Sequence, residues 1–342
     1  MTKNYTFKNT ERNNKKAHDY ETKSLLYLIG RRKDSKEIEY VAFDCFNDVS
    51  GVNGKSDKIW DIQSKNEKKL NPKKIGTYLY TLFDNYVSTL NFKEFIFFSP
   101  PLKSNYKKDT SKNIYGIGNI KEDTLDRIKN GLNEEVLRVK GASIDFQKEQ
   151  EDFLSLVYFV EDIDQESEYV KTLTQFNNLN LKPNAFYKTV FQELRDIQSS
   201  KKNSFIENKS ISEIRDVLKF QRHLNTKDVE LLLISRIIGC EIFKYKFIPI
   251  YFSPQLDGLE TEDRWDLIEE CNANLSRAFY NKNCNRIFWN LGEKIIEFLE
   301  INNKKDIDEI FNLIFPNYQI KISYLTPMTV KYLIGLILDG KQ

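Results

Sequence analysis

Apolar positions in the N-terminal part of the chain follow spacings that predict a helix, two strands, a helix and a strand. These elements are expected, in that order, at residues 18–30, 37–46, 57–65, 71–90 and 92–100. Asp19 is the expected N-cap of the first helix, and Gly30 is its expected stop. Asn71 followed by Pro72 is typical of a helix start, because the Asn side chain accepts a backbone hydrogen bond and Pro needs no donor there. We expect the segment around Gly51, between the two strands, to be a turn.

Helical spacing dominates the remainder of the chain. Further helices are expected at residues 121–138, 165–177, 184–198, 212–224, 226–243, 263–280 and 286–301, with strands at 152–162 and 246–252. Residues 1–17 lack an apolar period and are expected to be a mobile arm. The polar segment 199–210 is the expected domain boundary. The pattern therefore predicts an α/β domain over residues 18–200 and a mainly helical interaction domain over residues 211–342.

Composition narrows the class of protein without fixing a function. The chain has 342 residues with 52 Lys and Arg against 50 Asp and Glu, so its charge neither indicates nor excludes nucleic acid. The 4 scattered cysteines and 2 distant histidines argue against a structural zinc site and against a disulfide framework. No stretch is typical of a signal peptide or a membrane span, so we expect a cytoplasmic protein without a membrane partner.

Acidic, amide and lysine side chains cluster in residues 43–66, FDCFNDVSGVNGKSDKIWDIQSKN. On the second predicted strand Asp61, Gln63 and Lys65 share one face, and Asp48 follows the end of the strand before it. Oxygen ligands can hold Mg²⁺, which polarises a phosphate and acidifies a water, while a lysine stabilises transition-state charge. The same spacing also suits the polar edge of an ordinary hairpin. The residues alone leave both interpretations open.

The runs YETKSLLYLI, FDCFNDVSG and IWDIQSKNEKKLNPKKIGTYLYTLFDNYVS resemble a nuclease domain of bacterial anti-phage effectors in the PD-(D/E)XK superfamily. That domain occurs on cyclic-oligonucleotide-activated CBASS effectors and on the nuclease subunit of Lamassu systems. The family's helix-borne acid, its acid before a Val or Ile, and its QxK strand match Glu21, Asp48, Gln63 and Lys65. The resemblance implies a restriction-endonuclease-like domain with a central mixed sheet flanked by helices.

The resemblance further implies a DNA endonuclease that depends on Mg²⁺, with Mn²⁺ as an alternative cation. Asp48 and the Gln63 amide oxygen are the implied metal ligands. Lys65 is the implied catalytic lysine, and Glu21 an acid that completes or orients the site. The implied substrate is double-stranded DNA, cut in defence against phage.

Further residues are candidates at this site. Asn47 stands where the family often has an acid, which leaves open whether Asp44 or Asp61 supplies the missing charge to the metal. Lys73 and Lys74 follow a predicted helix N-terminus, where a phosphate is favoured. A contact with DNA phosphate is one interpretation of these lysines, and solubility is the other.

The helical remainder of the chain is short for a complete ligand-sensing domain. We therefore expect activation by partner subunits, such as an SMC-like ATPase with its accessory defence proteins in the Lamassu manner, or by homo-oligomerisation. Three alternatives stay open. One is a self-contained, nucleotide-activated nuclease of the CBASS type, and another is a catalytically weak DNA-binding or scaffold subunit. The third is an interaction module in which the helical part carries the function beside a vestigial nuclease fold.

Overall fold

The computed structural model of the chain describes residues 5–6, 15–142, 145–203, 208–243, 248–319 and 322–341. The strands in these residues are β1 (Tyr5–Thr6), β2 (Ile38–Phe43), β3 (Val49–Asn53), β4 (Ile59–Ser64), β5 (Phe92–Ser99), β6 (Ile114–Gly116), β7 (Val157–Glu161), β8 (Ser210–Ile211) and β9 (His223–Asn225). The α-helices are α1 (Lys15–Leu26), α2 (Pro72–Tyr86), α3 (Glu122–Lys140), α4 (Gln147–Ser155), α5 (Glu166–Lys171), α6 (Asn184–Lys202), α7 (Thr226–Ile238), α8 (Thr261–Tyr280), α9 (Asn285–Ile301), α10 (Ile307–Ile314) and α11 (Pro327–Gly340).

A seven-stranded mixed sheet in the order β6-β7-β5-β4-β3-β2-β9 organises the N-terminal part of the chain. β2, β3 and β4 are consecutive antiparallel strands, whereas β5 runs parallel to both β4 and β7. α2 connects β4 to β5, because two parallel neighbours need a crossover between them. The expected α/β class, with a central mixed sheet flanked by helices and a helical C-terminal region, is confirmed.

Helices cover both faces of this sheet. Phe95 and Phe97 of β5 are buried in one apolar cluster with residues of α2, α3 and α4. Phe98 points to the opposite face, where its ring contacts those of Tyr20 and Tyr27 in and just after α1. Burial on both faces explains why β5 appears in the sequence as a continuous apolar run rather than as an alternating strand.

The interior strand β3 lies where the sequence predicts a turn. It pairs with β2 on one side and with β4 on the other, so three strands follow the first helix rather than two. A Cβ atom on Gly51 would lie 3.1 Å from the Ile38 Cδ1 atom, so glycine allows the close packing at this position. Glycine also weakens the local strand signal, which explains why the sequence pattern misses this strand.

The N-terminal region also differs from its sequence expectation. Two residues of the expected mobile arm form β1, which pairs with β8, while residues 1–4 and 7–14 lie outside the described residues. α1 begins at Lys15, so Asp19 lies inside the helix rather than at its N-cap. Gly30 lies within a π-helical turn that extends α1, so the helix does not stop there.

Three further segments adopt other conformations than predicted. The expected strand 152–162 begins as the end of α4, and only its later part forms β7. The expected helix 212–224 is a 3-10 helix, Ile214–Phe220, followed by β9. The expected strand 246–252, whose first two residues lie outside the described residues, leads into a 3-10 helix, Ile250–Leu256. Short apolar runs do not by themselves distinguish helix from strand.

The chain divides into two compact units. Unit 1 comprises Met1–Val170 and Phe191–Thr226, and unit 2 comprises Lys171–Val190 and Lys227–Gln342. The segment 199–210, expected to be the domain boundary, begins inside α6 and belongs to unit 1. The described residues 199–202 are the polar end of a helix, which has the composition of a linker.

The described residues of unit 2 form helices and no strands. α11 lies at the centre of this unit, with Tyr332, Leu333, Ile334 and Leu336 fully buried on successive sides of the helix. A helix that is apolar all round forms the inside of a helical core. In the part of the chain that the structure describes, no helix is both long and apolar enough to cross a membrane.

Candidate functional site

A row of polar side chains on β4 faces a matching row on α2. Asn85 donates to Asp61 Oδ2 at 2.6 Å, Thr81 donates to Gln63 Oε1 at 2.6 Å, and the Lys65 ammonium lies 5.1 Å from the centre of the Tyr78 ring. Two strand residues advance the chain by about 6.6 Å, and three or four helix residues advance it by about 4.5–6 Å, so the two rows stay roughly in step. Asp61, Gln63 and Lys65 share one face, as the alternation predicts.

Asp48 meets this row at its outer end. The Asp48 Oδ2 atom accepts hydrogen bonds from Gln63 Nε2 at 2.6 Å, from the Ser64 N–H at 2.7 Å and from the Ser64 hydroxyl at 3.0 Å. Its Oδ1 atom makes no hydrogen bond to any described residue. The structure thus brings together four residues that we name the Asp48 cluster: Asp48, Gln63, Ser64 and Lys65.

Asp61 lies at the inner end of the row and is fully buried. Besides Asn85, Ser50 donates to Asp61 Oδ1 at 2.8 Å and Asn47 donates to Oδ2 at 2.6 Å. Asn47 directly precedes Asp48, so these bonds anchor the segment that carries the Asp48 carboxylate. Asp61 is connected to the Asp48 cluster through this segment rather than by a direct hydrogen bond.

Lys65 follows the last residue of β4 and is only half-buried. Its backbone N–H donates to the Phe98 carbonyl at 2.9 Å, which continues the pairing with β5 past the end of the strand. Its ammonium lies over the Tyr78 ring and makes no ion pair with the residues that the structure describes. This ammonium is therefore available to an external anion.

The two lysines expected to contact phosphate are both paired with acids. Lys73 lies 2.7 Å from Glu134, and Lys74 lies 2.6 Å from Glu67, which also accepts a hydrogen bond from the Tyr78 hydroxyl. The hydrogen bond from Lys74 holds the pKa of Glu67 below its usual range, so this pair is present at neutral pH and is lost on the acidic side as the pH falls through that lowered pKa. A phosphate would have to displace these carboxylates. The helix start itself is as predicted, because Asn71 accepts from the Lys74 N–H.

The two other acids of the expected site, Glu21 and Asp44, lie in a second group. Lys202 Nζ lies 2.7 Å from Glu21 Oε2 and 2.9 Å from Asp44 Oδ1, and Arg222 lies 3.9 Å from Asp44 Oδ2. We name these four residues the Lys202 cluster. Within the described part of the chain, the side-chain hydrogen bonds and ion pairs of the Asp48 cluster do not include Glu21 or Asp44, although the Asp44 backbone N–H donates to the Asp48 carbonyl oxygen at 3.4 Å.

The oxygen atoms of the Asp48 cluster fit Mg²⁺ only in part. Mg²⁺ is commonly held by one or two carboxylates together with several waters, and the cluster supplies one carboxylate and one amide oxygen. No three His, Cys, Asp or Glu side chains converge on one point among the described residues. Moreover, the Gln63 amide turns its nitrogen, not its oxygen, toward Asp48. The cluster therefore suits a weakly held, largely hydrated cation once this amide has turned over.

The sequence patterns missed several residues of the two clusters and their surroundings, among them Thr81, Lys202 and Arg222. Thr81 shows one local signal, since it lies one turn before Asn85 on α2, which bonds to the same strand, although Thr81 itself is exposed. Lys202 and Arg222 carry no such signal, because their acidic partners come from distant parts of the sequence. Only the folded chain brings them together.

The mixed sheet with helices on both faces, and a helical second unit, define an α/β protein with a polar cluster beside β4. Comparisons with protein-family models, with curated proteins and with solved structures found no match to this chain. We therefore infer a function from the residues of the site and from the resemblance of their motifs.

Proposed function

We propose that the chain is a divalent-cation-dependent DNA endonuclease of the PD-(D/E)XK type that acts in bacterial anti-phage defence. The observation that carries this proposal is the convergence of Asp48, Gln63 and Lys65 beside one strand end, with 2.6 Å between Asp48 Oδ2 and Gln63 Nε2. An acid, an amide and a free ammonium at one place are the groups that phosphodiester hydrolysis needs. The element order helix, three strands, helix, strand around them supports the same interpretation.

Each residue of the Asp48 cluster has a separate role in this proposal. Mg²⁺ or Mn²⁺, when bound, would polarise the scissile phosphate and acidify a water. Asp48 and the oxygen of Gln63 would hold the cation, while the Ser64 N–H and hydroxyl fix the Asp48 carboxylate in place. The Lys65 ammonium would stabilise the negative charge that develops on the phosphate.

Residues outside the cluster would support it. Lys73 and Lys74 would contact DNA phosphates on either side of the cut, in exchange for their present carboxylate partners. Glu21 and Asp44, as members of the Lys202 cluster, would act on the site only after Lys202 moves away. Asp61 would hold the Asn47–Asp48 segment in position.

We place the protein in the cytoplasm, where phage DNA is exposed to it. The proposed control is by partner subunits of the Lamassu type or by homo-oligomerisation, because an unrestrained DNA nuclease would damage its own cell. A self-contained CBASS-type nucleotide sensor is the alternative form of control.

A catalytically weak DNA-binding or scaffold subunit is the second candidate function. Two observations favour it. Gln63, a neutral residue, is the side chain bonded to Asp48, and no three-residue group of metal-binding side chains occurs in the described residues. A neutral amide lowers the charge that holds a cation. Metal-dependent cleavage of DNA distinguishes the two candidates.

The test is cleavage of supercoiled plasmid with Mg²⁺ or Mn²⁺ by the wild-type chain and by Asp48→Asn and Lys65→Ala. We expect each substitution to lower the cleavage rate by at least about a hundredfold, because each removes a cation ligand or a transition-state donor. Both changes keep the packing, since Asn has the shape of Asp and Lys65 is half-exposed.

The matched control is Lys69→Ala, an exposed lysine in the same loop as Lys65. It should cut at the wild-type rate and melt at the wild-type temperature. Wild-type cleavage by Asp48→Asn or Lys65→Ala would reject the site. A wild-type chain that binds DNA but never cuts it, at any concentration of cation or protein, would favour the scaffold function.

A further inference from the structure

The Gln63 side chain is held at both ends of its amide group. Its Nε2 atom donates to Asp48 Oδ2 at 2.6 Å and lies 3.5 Å from the Ser64 carbonyl oxygen. Its Oε1 atom accepts a hydrogen bond from the Thr81 hydroxyl at 2.6 Å. Since only 3% of Gln63 is exposed, each polar atom of the amide needs a partner inside the protein.

Thr81 is a partner that suits either end of this amide, because a hydroxyl group both donates and accepts hydrogen bonds. In the orientation described, it donates to Gln63 Oε1. After a half turn of the amide, the hydroxyl can accept from Nε2 and donate instead to the Tyr78 carbonyl oxygen, which lies 3.4 Å away. The half turn therefore keeps Thr81 bonded and brings the Gln63 oxygen beside Asp48.

An oxygen of Gln63 beside the Asp48 carboxylate is favourable only with a cation between them, because two acceptors offer each other no proton. We propose that Thr81 is a positioning residue for divalent-cation binding. Without the cation, Thr81 holds the Gln63 amide with its nitrogen toward Asp48, which we call the nitrogen-first state. With the cation, Thr81 holds the amide with its oxygen toward Asp48, which we call the oxygen-first state. This inference rests on the proposed nuclease function and adds the residue that controls its cation site.

Mn²⁺ binding to the purified full-length chain, measured by electron paramagnetic resonance, tests the inference without relying on activity. Thr81→Val keeps the side-chain shape and removes the hydroxyl. The oxygen-first state then leaves both Gln63 N–H groups without an acceptor, whereas the nitrogen-first state keeps Asp48 and the Ser64 carbonyl. Because buried N–H groups without acceptors are costly, we expect Mn²⁺ affinity to fall about tenfold.

Two control variants separate this role from a general effect on packing. Thr81→Ser keeps the hydroxyl and should bind Mn²⁺ within about twofold of wild type. Thr77→Val removes a hydroxyl one turn earlier on α2, which bonds to the Lys73 carbonyl at 3.3 Å. Its Mn²⁺ affinity should equal that of the wild type.

The decisive comparison is in a Gln63→Glu background. A carboxylate has an oxygen at each end and needs no half turn, so Thr81→Val should then change Mn²⁺ affinity by less than about twofold. Equal weakening in both backgrounds, or no weakening in either, would overturn the role of Thr81 and leave the cation site standing. Absence of Mn²⁺ binding to both the wild type and Gln63→Glu would overturn the proposed function, and this inference with it.

Discussion

Asp61 is a carboxylate without solvent exposure whose oxygens accept hydrogen bonds from Asn47, Ser50 and Asn85. A buried charge is stable only where hydrogen bonds replace its hydration, and here they come from a loop, a strand and a helix. Asn85 is itself fixed, because its Oδ1 atom accepts from the Tyr5 hydroxyl at 3.0 Å. Asp61 therefore joins elements that the sequence places far apart.

We predict that Asp61→Asn lowers the free energy of unfolding by about 2–3 kcal/mol, because an amide nitrogen at the Oδ2 position would face two side-chain amides that donate there. Urea unfolding followed by circular dichroism measures this. Asp57→Asn, an exposed acid four residues earlier, should change stability by less than about 0.5 kcal/mol.

The same variant tests the metal role that the sequence leaves open for Asp61. If Asp61 only positions the Asn47–Asp48 segment, the folded Asp61→Asn variant should still bind Mn²⁺, with an affinity that is lower than that of the wild type but measurable. A variant with wild-type stability and no Mn²⁺ binding would instead make Asp61 a ligand.

At the scale of elements, α2 and α3 approach until their backbones touch. A Cβ atom on Gly76 would lie 2.0 Å from the Ile128 carbonyl oxygen, and one on Gly131 would lie 2.0 Å from the Lys73 carbonyl oxygen. A Cβ atom at that distance would overlap the backbone oxygen, and the backbone can move away only if the whole helix shifts. This contact fixes α2, which carries the Thr81 hydroxyl, against the rest of unit 1.

We predict that Gly131→Ala destabilises the protein by about 2–3 kcal/mol, because overpacking outweighs the gain in helix propensity. The measurement is again urea unfolding. Gly292→Ala is the matched control, a glycine inside α9 whose added Cβ would meet no described heavy atom within 4 Å, and it should be neutral or stabilising by up to about 1 kcal/mol. A loss of stability in the control but not in Gly131→Ala would contradict the close helix contact.

At the scale of the whole molecule, one chain carries one Asp48 cluster, whereas the duplex that the proposed nuclease would cut has two strands. Unit 2 also exposes large apolar side chains, among them Ile301 at 84% and Leu313 at 52%. Covering such residues against a partner or a second copy of the chain removes apolar surface from water. For the proposed nuclease, both observations favour an active state with more than one subunit.

We predict that the cleavage rate per chain rises with protein concentration, in parallel with the mass measured by size-exclusion chromatography and light scattering. Ile301→Lys should shift this rise to higher concentration without changing the melting temperature, because the residue is exposed at the end of α9. A high rate per chain that stays constant down to the monomeric range would exclude control by assembly.

Local spacing in the sequence is sufficient to predict much of the fold. The helix start at Asn71, the alternation along β4 and the long helices α8 and α9 each depend on neighbours within a few residues. Backbone hydrogen bonding repeats at these short intervals, so the pattern of side chains records it. The row of Asp61, Gln63 and Lys65 is predictable for the same reason.

Tertiary structure decided what depends on contacts between distant residues. Gly51 lies in a strand because β2 and β4 supply its partners, although its own propensity favours a turn. Lys202 reaches Glu21 and Asp44 because α6 ends beside them, and Thr81 meets Gln63 because α2 packs on β4. These contacts are set by register and helix packing, which a one-dimensional pattern does not encode. The sequence by itself determined which residues share a face, and the fold decided which atoms meet across it.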